Sequence, residues 1–545
     1  MKEKRNTLIQ RLSAIHPAAW LVAILLGLMA WYGIFEIIDE RPHPLHMWRN
    51  TDCLSITLNY HDHGMHFAEP EIHNHISEGG KSGKTAGEFP GWYYLMAVLW
   101  KVFGVSEALY RGVVGGLFIL SLFALQNALT RLTGRLWATL LTLWMFVHPT
   151  LIYYGFAFLT NVPALSFALI GGSAFVHYTI ERRKRFLYWS LLCFAIAGLL
   201  KVTALLLFCT IGALILFEWL GLRLRKDRRL FENHFKKLLL MALALVPIVI
   251  WYAWAAKYNA EHGGKYTFNS VWPLWEADAA YRARTYHDVM QFTSRQIMAP
   301  VNWILFGLSF VFLLVRAPKL PRLLWLTPLI LNFGALVYSI LWFQAWADHD
   351  YYFLNLYVGP LVTITAAIIA VQSMLKDRKH HQIMAMTMGL VLLWSAWYTA
   401  EHLDCRYSPN YNHDYITVAD DGDGNSAEEG HLKYIHWDVG RHERAFDDIE
   451  PKLVEWGIGE EDLVISVPDA SYCITLYLMD RHGFTNMSMI NRDPASVREH
   501  IGKGARYLIV NEPEYEKDFP WIKAFMKDTV GIHRNVRVFR LSPDM

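Results

Sequence analysis

Long apolar runs, interrupted at short polar intervals, fill the first 400 residues, and beyond about residue 401 the runs shorten. A helix needs roughly 20 apolar residues to cross the hydrocarbon, because every backbone polar group must be paired within the segment. Runs over residues 20–38, 109–130, 136–150, 160–180, 187–200, 203–221, 238–256, 300–315, 322–343, 351–372 and 382–399 meet or approach that length, which predicts eleven spans. The first exceeds a signal-peptide core and is followed by charged sequence without a small-residue cleavage site, so it reads as a retained anchor. The run 90–103 carries Trp92, Tyr93, Tyr94 and Trp100 and reads as a helix lying in the outer interface, where aromatic residues are favoured.

After 401 the pattern changes. Residues 463–467, 507–510 and 536–541 read as strands, 471–480, 496–503 and 520–527 as helices, and the acidic, glycine-containing stretch 420–429 as a loop. The expected architecture is an all-α polytopic membrane domain over 1–400, with a first outer loop at 39–108, followed by a soluble α/β domain over 401–545. No internal repeat and no Walker or dinucleotide glycine motif is present.

Composition narrows the class. At 54% hydrophobic, 14% aromatic and 18% charged, the chain is too apolar for a disordered or nucleic-acid-coating protein, and a net charge of +2 gives no global attraction to polyanions. Its five cysteines include no CxxC pair, which argues against a thiolate zinc site. The placement of the basic residues is the informative part. Clusters at Lys2/Lys4/Arg5/Arg11, Arg131/Arg135, Arg182–Arg185, Arg223–Arg229 with Lys236/Lys237, Arg316/Lys319/Arg322 and Lys376/Arg378/Lys379 all fall on one face when eleven spans start from a cytoplasmic N-terminus. Loops 39–108, 151–159, 257–299 and 344–350, and everything after about 400, then share the outer face.

Function in membrane proteins concentrates where ionisable residues meet the membrane boundary. On the predicted outer face the first loop holds Arg49-Asn50-Thr51-Asp52 and, further on, Gly87-Glu88-Phe89-Pro90. Leu54, Ile56 and Leu58 give no clean helical stripe beside Asp52, so the pattern does not say which way it faces. It is either a carboxylate aimed at a substrate or a loop aspartate paired with Arg49. Lys201 interrupts an apolar run at an outer turn and either snorkels to headgroups or binds an anion such as a lipid phosphate. Asp348-His349-Asp350-Tyr351-Tyr352 opens another helix on the same face and either hydrogen-bonds a sugar or phosphate or forms an aromatic belt with a capping Asp.

Seven histidines (His43, His46, His61, His63, His66, His73 and His75) crowd the first loop. His61-x-His63 lacks the i, i+3 or i, i+4 spacing of helical metal pairs and no cysteine joins it, so ordinary polar roles are set against a divalent-metal site and no metal ligand is assigned. Asp421-x-Asp423-x-Asn425 starts like a calcium loop but has Ser426 for the turn glycine and Leu432 for the bidentate glutamate, so that match fails.

Several of these segments carry a resemblance. Glu88-Phe89-Pro90-Gly91-Trp92-Tyr93-Tyr94 resembles a Glu-Lys-Pro-Pro-Leu-Tyr-Tyr segment, and Gly104-Val105-Ser106-Glu107 with Arg111 resembles the piece that follows it. Gly198–Lys201 resembles a Gly-Leu-x-x-Lys turn, and His349–Tyr352 with Pro360 a late His-x-Tyr segment. In this order and on one face, they resemble the GT-C glycosyltransferases that use polyprenyl-phosphate sugars. That superfamily, which includes glycosyltransferase family 39, contains protein O-mannosyltransferases and the aminoarabinose transferases that modify lipid A. The resemblance covers residues 20–400. It departs from the family pattern at Phe89, where a lysine is usual, at Asn161, where an aspartate is usual, and at Asp52, which is followed by Cys53 instead of glutamate.

The resemblance implies a GT-C fold, a catalytic aspartate in the first outer loop, and transfer of a monosaccharide from a polyprenyl-phosphate donor to a hydroxyl of a protein, glycan or lipid acceptor. Asp52 is then the expected base and Lys201 the phosphate partner; Glu88 orients the acceptor or serves as base in its place. Arg49, Arg111, His349 and Tyr351 are expected to complete the substrate site, in a bacterial inner membrane with the C-terminal domain periplasmic. No nucleic-acid partner is expected, and a divalent metal is the one cofactor left open. The competing classes are a transporter or flippase of a lipid-linked sugar, for which paired symmetric halves and charges deep within the spans are missing from the pattern, and a membrane anchor, which does not need eleven helices.

Overall fold

The computed structural model describes residues 17–43, 45–225, 229–264, 270–346, 349–375, 377–407, 444–488, 493–512 and 514–544. The stretch 420–429 with its calcium-like aspartates, the basic cluster Lys2–Arg11 and Asp348 lie outside them. In chain order the outer and membrane helices begin with α1 (Pro17–Trp31), α2 (Met47–Asp62), α3 (Gly91–Phe103) and α4 (Glu107–Thr133). Next come α5 (Arg135–Trp144), α6 (Pro149–Gly155), α7 (Asn161–Glu181), α8 (Lys184–Leu200), α9 (Leu206–Trp219) and α10 (His234–His262). The last are α11 (Pro300–Arg316), α12 (Arg322–Leu341), α13 (Val358–Met374) and α14 (Arg378–Tyr407).

All eleven apolar runs are helical. Among the described residues eight helices are long and apolar enough to cross a membrane, or up to nine if α5 and α6 count as one bent span. The chain is an integral membrane protein. The run 136–150, expected as one straight span, is instead broken: α5 and α6 meet at 80°. The break has a local cause, since Pro149 has no N–H to continue the helical ladder and starts a new helix behind an extended His148 (φ −130°, ψ 123°). The last helix also runs past the predicted 399, to Tyr407.

The expected first loop contains a helix. From Met47 to Tyr60 every residue of α2 except Trp48 is buried, because α3 lies along it on one side and the C-terminal part of the chain on another. A helix covered on most of its circumference needs no polar stripe, which is why Leu54, Ile56 and Leu58 showed no helical period.

The C-terminal part is a five-stranded sheet, β1 (Leu463–Val467), β2 (Gly483–Phe484), β3 (Ala505–Val510), β4 (Asp528–His533) and β5 (Val536–Arg540), in the order β2-β1-β3-β5-β4. The first three strands are parallel and the last two antiparallel. β2 and β4 were not foreseen: one is two residues long and the other is a half-exposed edge, so neither shows a buried alternation. The remaining strands bury both faces by their period of two. Val464, Tyr507, Ile509 and Val538 join the cluster that continues through α2 into the bundle, while Ile465, Leu508, Val510 and Phe539 pack on the other side with Val497 of α15 (Pro494–Gly502).

The first loop is stitched to this sheet. Gly483 N donates to His73 O at 3.1 Å and His75 N to Gly483 O at 2.8 Å, adding Asn74 beside β2 as a parallel bridge. Glycine is required there, since a Cβ at 483 would lie 1.9 Å from the Val464 carbonyl oxygen.

Candidate active site

Four chain segments meet around Glu88. The loop that carries it is held by α10, where Asn259 makes a two-way amide pair with Ala86 (Ala86 N to Oδ1 2.8 Å, Nδ2 to Ala86 O 2.7 Å) and Trp251 Nε1 donates to Gly87 O at 3.2 Å. The Lys201 turn is anchored beside it, Phe89 N donating to Leu199 O. Lys201 has extended backbone (φ −155°, ψ 117°), which ends α8 and turns its side chain away from the helix axis.

The Glu88 carboxylate accepts from Lys201 Nζ on one oxygen, and from Arg49 Nη2 and Tyr93 Oη (2.9 Å) on the other. Arg49 also approaches Asp52 on the next turn of α2, with Nη1 3.8 Å from Oδ2. Burial alone would raise the Glu88 carboxyl, but the Arg49 and Lys201 charges outweigh it and hold the group well below the usual carboxylate range. Asp52 is fully buried. The partner of Lys201 within the protein is Glu88.

The remaining expected residues divide. Tyr351 lies close enough to feel the charges of Arg49, Glu88 and Asp52, and packs edge-on against His46 at 5.0 Å. His349 stacks on His46 at 5.7 Å, so it joins the cluster's flank. Arg111 does not meet Glu88. Its guanidinium donates to the carbonyls of Ile38, Glu40 and Arg41 and lies over the Phe158 ring at 4.5 Å, fixing the chain where it leaves α1.

Two features escaped the sequence. Tyr93, quoted only as an aromatic, is the third partner of Glu88. A second buried cluster centres on Asp350, which accepts from Tyr154 Oη (2.6 Å) and Arg406 Nη2 (2.7 Å) and lies 3.3 Å from His46 Nε2. Arg406 in turn donates to Gln296 Oε1 and Thr150 Oγ1. A cation at the end of an apolar run was the signal that singled out Lys201, and it applied equally to Arg406.

The histidines gather elsewhere. His61 pairs with Asp62, while His63 Nε2 meets His482 Nε2 at 3.3 Å, and His73 and His75 pack on the same His482 ring at 4.7 and 5.4 Å. Among the described residues no group of three or more His, Cys, Asp or Glu side chains is arranged to hold a metal.

Solved structures share this arrangement of the chain. ArnT from Cupriavidus metallidurans in the apo state matches with a TM-score of 0.57 at 11% identity, over 97% of this chain and 98% of that one. The same protein bound to undecaprenyl phosphate matches at 0.56 and 12%, over 96% and 97%. This chain has the GT-C fold. The archaeal oligosaccharyltransferase AglB from Archaeoglobus fulgidus, in complex with an inhibitory peptide and a dolichol-phosphate, matches at 0.51 and 10%, over 94% of this chain and 72% of that one. No protein-family model and no curated protein matches by sequence.

Proposed function

We propose that this chain is an integral-membrane glycosyltransferase that moves a monosaccharide from a polyprenyl-phosphate donor to a hydroxyl of a protein, glycan or lipid acceptor. The observation that carries the reading is the Lys201–Glu88–Arg49–Asp52 cluster, buried where α2 meets the α8 turn in a GT-C fold. The match to a protein solved with undecaprenyl phosphate supports the donor class.

In the reaction, the acceptor hydroxyl oxygen attacks the anomeric carbon while its proton passes to the Asp52 carboxylate. The bond from that carbon to the phosphate oxygen breaks, and the polyprenyl phosphate leaves with the electron pair. Lys201, drawn from Glu88 by the more highly charged phosphate, stabilises the leaving group, and Arg49 keeps Asp52 in register. Glu88, held ionised, keeps the two cations in place when no donor is bound.

The basic clusters support an orientation with the N-terminus cytoplasmic and the cluster on the outer face, and the compact loops favour a bacterial inner membrane, with residues 1–400 forming the catalytic domain and 401–545 the periplasmic outer domain. The test is incubation of the purified protein in detergent with radiolabelled polyprenyl-phosphate monosaccharides, with Asp52→Asn as control. Sugar release or transfer by the wild type alone supports the reading. A folded protein silent with every donor overturns it and directs attention to flux in sealed vesicles.

A further inference from the structure

Trp48 is the one residue from Met47 to Tyr60 that α2 leaves open, at 36% exposure, with a large aromatic surface free for contact. It stands one helical turn before Asp52, so the two side chains share a face. Its neighbour there is Tyr472 of the C-terminal part, edge-on at 5.6 Å. Tyr472 and the adjacent Cys473 are close enough to Asp52 to feel its charge.

The turn that presents Tyr472 is rigidly built. Asn74 Nδ2 donates to the Tyr472 carbonyl at 2.9 Å, and the preceding Ser471 is fixed by N–H and hydroxyl bonds of 2.7 and 2.6 Å to the buried Asp469. Such support is typical of a binding group whose orientation matters. A pyranose has a face of C–H bonds and a rim of hydroxyls, and an electron-rich aromatic face beside a buried carboxylate complements both.

We propose that Trp48 and Tyr472 form an aromatic platform that binds a pyranose ring next to Asp52, making the C-terminal part a contributor to the substrate site. This rests on the reading of Asp52 as the base. The ring belongs to the donor sugar or to a saccharide acceptor, and the chemistry at the platform is the same.

The platform can be tested without turnover. Saturation-transfer NMR is recorded on the full chain, in a detergent without a sugar headgroup, using methyl glycosides of glucose, mannose, galactose, glucosamine and arabinose as probes. Ring C–H protons should receive saturation from wild type and from Asp52→Asn, and about fivefold less from Trp48→Ala and Tyr472→Ala, with Tyr472→Phe close to wild type. Equal transfer in wild type and both alanine variants, or none to any glycoside, overturns the platform. If an alanine variant does not fold, Trp48→Leu keeps apolar bulk without the ring and carries the same expectation.

Where turnover is measurable, Trp48→Ala should raise a KM about tenfold with kcat nearly unchanged. A raised donor KM assigns the ring to the donor, a raised acceptor KM to the acceptor, and two unchanged KM values overturn the proposal. Absence of turnover would count against the transferase reading alone, because glycoside binding is scored separately.

Discussion

The two buried charge clusters beside α2 are built from the same residue types but differently. Around Glu88 two cations converge on one carboxylate, and the Lys201 side chain remains 18% exposed. Around Asp350 the arginine is sealed in: Arg406 is only 1% exposed and tied as well to Gln296 and Thr150, with His46 on the carboxylate's other oxygen. The first arrangement can hand a cation to an incoming anion without stranding its carboxylate, because Arg49 and Tyr93 remain. The second cannot, and it joins the end of α14 to α6 and to the chain entering α13. Burial of an ion pair is thus no mark of catalysis by itself; what distinguishes the two clusters is access to their cations.

Breaking each cluster should separate them. Asp52→Asn should lower turnover by about 10²- to 10⁴-fold, the usual range for loss of a general base, with the thermal unfolding midpoint nearly unchanged. Arg406→Met should act on stability instead, costing about 3–5 kcal/mol because Asp350 is left buried without its cation. Adding Asp350→Asn should recover part of that loss, which a double-mutant cycle of unfolding measurements would detect. Lys201→Met should lower transfer from a polyprenyl-phosphate sugar by about 10²- to 10³-fold, as removal of a donor to a developing anion does, with less loss of stability than Arg406→Met. Equal destabilisation by the two cation replacements would erase the distinction.

The smallest effect concerns pH and sharpens the contrast between the site and the histidine contact that holds the first loop to the sheet. Burial, with the neighbouring His73, lowers His75 to about 4, and burial among His73, His75 and His63 lowers His482 well below its usual value. A histidine whose folded value is lowered favours the folded state above its unfolded value near 6.5, and that advantage is lost as pH falls toward the folded value. Unfolding monitored from pH 7.5 to 5.5 should therefore show a loss of about 1 kcal/mol for each of the two histidines, reduced by one such share in His75→Gln. Glu88 has its carboxyl held low by Arg49 and Lys201, so its contribution persists through this window and fails only at far lower pH. A loss of equal size in His75→Gln would remove His75 from the explanation.

Much of this was readable in advance, for reasons that differ by element. Apolar length located all eleven runs because the bilayer imposes it on each helix separately. Asp52, Glu88, Lys201 and Tyr351 could be singled out because a charge or polar group at the end of an apolar run is expensive unless it is used. Arg111, taken up from the resemblance, donates to three backbone carbonyls away from Glu88, and Arg406, at the end of the last apolar helix, was passed over. α2 was missed as a helix because periodicity reports a boundary between protein and solvent, and α2 has almost none.

By itself, then, the sequence determined the membrane helices, the α/β character of the end of the chain and which ionisable residues were out of place, since these follow from segment length, period and transfer cost. Tertiary structure alone decided which of those residues meet. Glu88 between Arg49 and Lys201, Asp350 on Arg406 and Tyr472 against Trp48 join positions separated by 39 to 424 residues. Contacts across such separations depend on how helices pack and where Pro149 bends them, and no local pattern in the chain encodes that.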